Sequence, residues 1–177
     1  MKQLKDIRIS FDLHPSDLDI GLKYLSKLNL DLDVYLPTRG RNLQRPLVWT
    51  IEQKRELIWS VLMQRPIPSV SMINSICKVD ENTDVYLVID GKQRISAMLD
   101  FINDKFTLDT EDGELAFSQL PDEYQSAILR YHMHVSIINE PWDDRITDDQ
   151  KVELFMFINF AGTQQDKEHM KSLNDKI

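Results

Sequence analysis

The strongest constraint on the fold is a short apolar run that passes through a glycine directly into a helix pattern. Residues 85–89 are compactly apolar, which predicts a buried strand, and Gly91 follows after a single Asp. From Ile95 onward, apolar side chains recur at the third, fourth and seventh following positions, the spacing of one helix face. A chain with this segment must place the end of a buried strand beside the N-terminus of a helix.

The turn between this strand and this helix has the chemistry of an anion site. The first N–H groups of a helix lack intrahelical acceptors, and the helix dipole adds partial positive charge. Gly91 permits close approach of a bound group and a positive φ, while Lys92 and Arg94 add cationic donors. The Asp90 carboxylate is suited to bind Mg²⁺ or to accept a proton. The Gln93 amide is suited to orient a water molecule or to contact a sugar or base. A purely structural role, with Asp90 and Gly91 as a helix cap and Arg94 on the surface, fits equally well.

The other sequence patterns predict one α+β domain in which strands and helices are interleaved. The predicted helices cover residues 16–28, 50–65, 121–131, 147–160 and 167–174. The predicted strands cover residues 30–36, 69–76 and 132–138, and a predicted hairpin covers 106–117. The hairpins favour a small mixed sheet over a doubly wound parallel one. Because no repeat or linker is present, we expect a single domain over residues 1–177, with residues 1–30 as its N-terminal helical extension.

Charge is distributed unevenly along the 177 residues. The net charge of −8 argues against general coating of DNA, which needs a surplus of Lys and Arg. Residues 39–65 nevertheless hold six basic and two acidic side chains, whereas residues 104–177 hold 16 acidic and seven basic ones. We therefore expect an anionic ligand near the first half of the chain. Lys54 and Arg55 also fit a solvated helix face, but Arg45 lies in a loop.

Several classes of protein and site are disfavoured. The single cysteine, Cys77, cannot form an internal disulfide or a thiolate metal cluster, and the N-terminal residues lack the apolar core of a signal peptide. No apolar stretch is long enough to span a membrane, so we expect a soluble, cytoplasmic protein. His132 and His134 share a face of a predicted strand, but no third metal ligand is evident, and a solvated strand face explains them better.

Three ordered blocks of sequence carry a resemblance to a known family. The segment VYLVIDGKQRISAMLDFI resembles the signature of the GmrS-type N-terminal domain family, in which a hydrophobic strand is followed by Asp-Gly-Gln/Lys-Gln-Arg and a helix. The upstream block NLQRPLVWT with KRELIWSVLMQRPIPSV and the downstream block KVELFMFINFAGTQQDKEHM fit in the same order. The chain is therefore identified as a member of this family, within the ParB/sulfiredoxin superfamily. The resemblance implies a single ParB/sulfiredoxin-like domain, a small mixed sheet flanked by helices.

The resemblance also implies a function in restriction and other defences against phage, in a bacterial or phage-infected cell. Many members resemble nucleotide-binding modules with Mg²⁺-dependent nucleoside triphosphatase activity. In the mechanism expected here, Arg94 and Lys92 clamp the phosphates, and Arg45 arrives from the opposite wall to offset developing charge. Asp90 holds the metal or positions water, and Gln93 supplies orientation.

The family's motif residues carry over position by position. The motif associated with nucleotide binding and hydrolysis corresponds to Asp90, Gly91, Gln93 and Arg94. The upstream block supplies Gln44 and Arg45, which approach the same cleft. The downstream block supplies Asn159 and Gly162, and a buried Asn159 is expected to bridge backbone segments near the site.

The sequence departs from the family pattern in two ways. Lys92 stands where Gln is commoner, which adds charge; it also occupies the position of the sulfiredoxin cysteine, which excludes that chemistry. The sequence ends at Ile177, whereas GmrSD-type restriction proteins continue into a His-containing nuclease domain. We therefore expect no nuclease activity from this chain on its own.

Two other functions stay open at this point. A stand-alone binding or regulatory protein, encoded by a phage or mobile element, would act without turnover on a separate nuclease subunit or a host defence protein. A ParB-like DNA-binding module would need a basic face, which the net charge of −8 disfavours.

Overall fold

The computed structural model describes residues 16–76, 84–141 and 145–160. Within these ranges the strands are β1 (Ser16–Gly21), β2 (Leu30–Asp31), β3 (Tyr35–Leu36), β4 (Arg41–Asn42), β5 (Val70–Ile76), β6 (Asp84–Asp90), β7 (Leu108–Thr110), β8 (Gly113–Leu115) and β9 (His132–Asn139). The α-helices are α1 (Leu22–Leu25), α2 (Ile51–Leu62), α3 (Lys92–Ile102), α4 (Asp122–Arg130) and α5 (Asp148–Phe160).

The main sheet is mixed and has the strand order β1-β9-β5-β6-β2. The pairs β1 with β9 and β5 with β6 are antiparallel, whereas β5 with β9 and β2 with β6 are parallel. The small antiparallel hairpins β3-β4 and β7-β8 lie outside this sheet. This arrangement confirms the predicted α+β class.

Different elements bury the two faces of the sheet. One face presents Val70, Met72 and Val88 to the larger core, which also contains apolar side chains of α2, α3 and α4. The other face presents Ile73 and Ile89 to a smaller core, which α5 and the β3-β4 hairpin complete. Fully burying one such side chain contributes about 1.5–3 kcal/mol. Because β5 and β6 are buried on both faces, they fix the middle of the sheet and the position at which α3 begins.

Most predicted elements are confirmed close to their predicted bounds. The capping box that predicts the start of α2 is present, since Thr50 Oγ1 accepts from the Gln53 N–H and Gln53 Oε1 accepts from the Thr50 N–H. Thr147 and Gln150 make the equivalent bonds at the start of α5. The predicted hairpin forms as β7-β8, and the helix and strand predicted next form as α4 and β9.

The prediction of a helix over residues 16–28, and so of a helical N-terminal extension, is wrong for the described part. Ser16–Gly21 forms β1 and pairs along its length with β9, and the helix is reduced to the single turn of α1. Leu18 and Leu22 have helical spacing, but the distant strand satisfies the backbone and leaves Leu18 exposed. Residues 1–15 lie outside the described ranges.

Two further boundaries differ from the prediction. α2 ends at Leu62 and not at Arg65, because Gln64 takes a positive φ of 54° that stops the helix. Residues 30–36 form two separate short strands, of which β2 pairs with the sheet and β3 with the β4 strand. Cys77, Gly162 and the helix predicted over 167–174 lie outside the described residues. Within the described ranges, no helix has the length and apolar character needed to cross a membrane.

Candidate functional site

A cleft of about 170 Å³ opens where β6 ends and α3 begins. Three parts of the chain line it: Gln44, Arg45 and Trp49, then residues 90–94, then Phe155. Seven of the nine site residues expected from the sequence are among them; Asn159 does not line the cleft, and Gly162 lies outside the described residues. The fold therefore brings the upstream motif and the strand-turn-helix motif together.

Gly91 forms the floor of the cleft and the start of α3. Its φ is 98°, and a Cβ at this position would lie only 2.3 Å from Val70 Cγ1. Glycine is required here by the backbone conformation and by the contact with β5. Among the described residues no side chain caps α3 at this position, so within them the first N–H groups of the helix have neither an intrahelical acceptor nor a side-chain cap. N–H groups of this kind are the donors by which helix N-termini bind anions.

Asp90 and Arg94 form an ion pair across the same turn. Arg94 Nη2 donates to Asp90 Oδ2 at 2.7 Å and to the Ser69 carbonyl oxygen at 2.9 Å. Arg94 Nε is buried and makes no hydrogen bond to any residue in the ranges that the structure describes. Two side chains expected to contact a ligand thus contact each other first, and one guanidinium donor is left without an acceptor.

Gln93 holds the loop that leads into α2. Its Oε1 accepts from the Val48 N–H (3.1 Å) and the Trp49 N–H (3.3 Å), and its Nε2 donates to the Pro46 carbonyl oxygen (3.0 Å). Both lone pairs of Oε1 are occupied in this way. The structure therefore gives Gln93 a positioning role, because it fixes the loop that carries Arg45 and Trp49 to the cleft.

Lys92 is buried and tied to another loop. Its side chain is 5% exposed, and its Nζ forms an ion pair with Asp33, whose side chain is 68% exposed. The ammonium group therefore has a partner already. A ligand phosphate would have to share it with Asp33 or displace that carboxylate.

Gln44 and Arg45 form the wall opposite α3. Gln44 is buried, and its Nε2 donates to the Ile89 carbonyl oxygen at 2.8 Å, while its Oε1 is buried and has no hydrogen-bond partner within residues 16–76, 84–141 and 145–160. Arg45 is exposed at the cleft, and it makes no ion pair or hydrogen bond in the described part of the chain. The residues that line the cleft therefore include one buried acceptor and one buried donor that have no partner among the described residues, and one exposed cation.

Asn159 lies one turn after Phe155 in α5. It is buried as expected, but its Nδ2 donates to the Phe155 carbonyl oxygen of its own helix at 2.7 Å. This bond stabilises the turn that carries Phe155 and does not bridge separate backbone segments. Sequence reasoning missed Phe155, although its position four residues before Asn159 places both on one helix face.

Comparison with known proteins gives one match. A family model of the N-terminal domain of the GmrSD restriction endonuclease matches residues 34–174. The chain belongs to this family. Membership implies a restriction-related role. The matched range contains every residue that lines the cleft, but it leaves out β1, α1 and β2. Curated proteins and solved structures give no match.

In this GmrSD N-terminal domain, ion pairs neutralise much of the basic segment 39–65. The pairs are Arg39 with Asp149 (2.8 Å), Lys54 with Asp100 (2.9 Å), and Arg55 with Asp109 (2.6 Å) and Glu114 (3.5 Å). Burial works to raise the pKa of Asp100, but hydrogen bonds from Lys54 and Lys105 outweigh it and hold that pKa below its ordinary value. The positive charge counted in the sequence is therefore not an open anion-binding surface.

A metal ion in the cleft of this GmrSD domain would need a bound molecule to supply most of its oxygen ligands. Asp90 is the one carboxylate that the described residues contribute to the cleft. No group of three or more His, Cys, Asp or Glu side chains is placed for a metal ion in the ranges that the structure describes. His134 instead contacts Asp19 at 3.3 Å on an exposed strand face. Mg²⁺ usually takes one or two carboxylates plus phosphate oxygens, so Asp90 fits a Mg²⁺ that arrives with a nucleotide.

Proposed function

We propose that the cleft binds a nucleoside triphosphate, with its phosphates at the first turn of α3. The observation that carries this proposal is the helix start at Gly91, which has no side-chain cap, together with two residues of the same cleft that each keep one buried polar atom without a partner among the described residues, Arg94 Nε and Gln44 Oε1. A buried polar atom without a partner costs about 1–3 kcal/mol. A ligand that forms hydrogen bonds with both atoms would therefore gain the energy of its own contacts and also remove these two costs.

The chemistry of these groups favours a nucleotide over a simple anion. The helix N–H groups and Arg94 Nε need acceptors, which phosphate oxygens supply. Gln44 Oε1 needs a donor, which a ribose hydroxyl or a base amine supplies and a fully ionised phosphate does not. The volume of about 170 Å³ is smaller than the ~300–1,000 Å³ of most small-molecule sites. We therefore place only part of the ligand inside, with the rest against Arg45 and Trp49 at the cleft.

Nucleotide binding would require the Asp90–Arg94 pair to separate. In this proposal a phosphate takes the place of Asp90 as the partner of Arg94, and the freed Asp90 carboxylate holds the Mg²⁺ that accompanies the nucleotide. Bound Mg²⁺ would supply charge neutralisation for the phosphates. Before this exchange, none of the described cleft residues offers a free carboxylate or imidazole as a base. The geometry therefore favours nucleotide binding most. Hydrolysis in support of restriction is the more specific part of the proposal.

The test is calorimetric titration of the protein with each of the four nucleoside triphosphates and Mg²⁺, followed by a phosphate-release assay. Arg45→Ala removes the free cation, and we expect about a 10-fold or greater loss of affinity, as for other charge-assisted hydrogen bonds. Arg65→Ala, an exposed arginine outside the cleft, is the matched control and should bind like the wild type. Absence of both binding and turnover for all four nucleotides would overturn the proposal.

Binding to a protein partner is the second candidate, and exposed apolar side chains favour it. Leu47, Val48 and Ile51 are large apolar residues, each more than a third exposed, in the loop and first turn of α2 next to the cleft. Clusters of this kind mark interaction sites in soluble proteins. Under this alternative the protein acts without turnover on a nuclease subunit or a host defence protein. Stoichiometric copurification of such a partner, lost on Val48→Ser and accompanied by no phosphate release, would favour it.

A further inference from the structure

A second concavity, which we call the basic groove, lies on a different part of the molecule from the cleft. Its volume is about 460 Å³, and no residue lines both. One side comes from α1 and the residues after it, with Lys23, Tyr24 and Lys27. The other side comes from the end of α4 and the start of β9, with Arg130 and His132. The α1 side lies outside the residues 34–174 that match the family model.

The cations of the basic groove have no carboxylate partner among the described residues, in contrast to Arg39, Lys54 and Arg55. Within the described part of the chain, Lys23, Lys27 and Arg130 make no ion pair and no side-chain hydrogen bond. The fold thus concentrates free positive charge at one place in a chain of net charge −8. Free cations along an open groove attract polyanions, because each anionic contact releases counterions.

The helix dipole explains the positions of only some of these cations. Lys23 and Arg130 lie in the last turns of α1 and α4, where a cation offsets the negative end of the helix dipole. That explanation does not extend to Lys27 or His132. It also does not explain why Tyr24, which is 62% exposed, lies among these charged side chains. Proteins that bind single strands combine cations, which contact the phosphates, with an exposed aromatic ring, on which a base stacks, and the basic groove contains residues of both kinds.

We propose that the basic groove binds single-stranded nucleic acid. Lys23, Lys27 and Arg130 contact successive phosphates, and a base stacks on Tyr24. A duplex fits less well, because its bases are already stacked on each other and cannot use the ring. Three phosphate contacts predict a modest salt dependence, with a slope of log K against log salt of about −2 for a single strand.

The test is fluorescence anisotropy with a labelled oligothymidine of about 20 nucleotides, titrated with the full chain between 50 and 200 mM salt. We expect binding at 50 mM salt, with the slope of about −2. Lys23→Gln and Lys27→Gln should each weaken binding and reduce the slope by about 0.7. Lys105→Gln removes the same charge from an exposed lysine in neither the groove nor the cleft, and it should change little.

Substitutions of Tyr24 test the aromatic ring separately from the positive charges. Tyr24→Ala should weaken binding about 5-fold or more, whereas Tyr24→Phe keeps the ring and should bind like the wild type. Heparin serves as a polyanion without bases, and its affinity should not change with Tyr24→Ala. The proposal is overturned by no binding at 50 mM salt, by equal losses in Lys27→Gln and Lys105→Gln, by tighter binding to a duplex of the same length, or by an unchanged affinity in Tyr24→Ala.

Discussion

Gly91→Ala is the substitution whose cost follows most directly from the structure. A Cβ at this position would lie 2.3 Å from Val70 Cγ1 and 2.8 Å from Val70 Cβ, whereas ordinary contacts are 3.4–4 Å. Val70 is fully buried, so it cannot turn away without disturbing the larger core. Overpacking costs about 1–3 kcal/mol and a left-handed residue with a Cβ about 1–2 kcal/mol. We expect the free energy of unfolding to fall by about 2–5 kcal/mol, out of the ~5–15 kcal/mol typical of a domain.

Val70→Ala separates the steric contribution from the backbone contribution. It removes the Cγ1 atom that makes the closer contact, at a cost of about 1.6 kcal/mol for two methyl groups plus a cavity contribution. In the Val70→Ala background, Gly91→Ala keeps its backbone strain and the 2.8 Å contact with the Cβ of residue 70, but it loses the closer contact of 2.3 Å. Its cost should therefore fall by about 1 kcal/mol, which is a coupling that a double-mutant cycle detects.

The assay is urea unfolding of the wild type, the two single variants and the double variant. Gly113→Ala is the matched control, because Gly113 has a φ of 106° but no atom within 4 Å of a Cβ placed there, so it reports backbone strain alone. Strictly additive costs in the cycle, or a cost of Gly91→Ala no larger than that of Gly113→Ala, would refute the reasoning.

Three further predictions concern two side chains of the cleft and one at the start of α5. Gln93→Ala removes three hydrogen bonds to the loop before α2, so we expect a stability loss of about 1–2 kcal/mol in urea unfolding and weaker nucleotide binding in calorimetry; unchanged affinity would contradict its positioning role. Lys92→Met keeps the buried stem and removes the pair with Asp33, so stability should change little, and a fall in nucleotide affinity would show that the ammonium contacts phosphate. Burial works to raise the pKa of Asp148, but hydrogen bonds from Thr38 outweigh it and lower that pKa. The stabilisation from Asp148 is therefore fully present above its ordinary pKa of about 3.9 and is lost as the pH falls through the lower folded value; Asp148→Asn should cost more at pH 6 than at pH 3.

The parts of the fold that were predictable are those set by neighbouring residues. The strand, glycine turn and helix from β6 to α3 follow from a continuous pattern, and Thr50 with Gln53 is a local signal that the structure confirms. β1 could not be predicted in this way, because its hydrogen bonds go to β9, more than a hundred residues away, while its own leucines have helical spacing. The order of the motif blocks placed Gln44 and Arg45 beside residues 90–94 correctly. The bonds from Gln93 to the loop at 46–49 have no signal in the sequence.

The charged residues show most clearly why a count of charges along the sequence cannot locate an anion-binding site. Arg39, Lys54 and Arg55 lie in the basic segment, but their carboxylate partners stand 110, 46 and 54 residues further along the chain. Folding cancels these charges in pairs, since an ion pair stabilises the packing of distant elements and leaves little field outside. The cations that stay free are decided by the fold and not by local excess. Arg45 at the cleft is one of them, and the lysines of the basic groove are others, although the segment that carries those lysines has no unusual charge. Positive potential for a ligand is therefore to be sought where cations without carboxylate partners line a concave surface, and in the described part of this protein the cleft and the basic groove both meet that criterion.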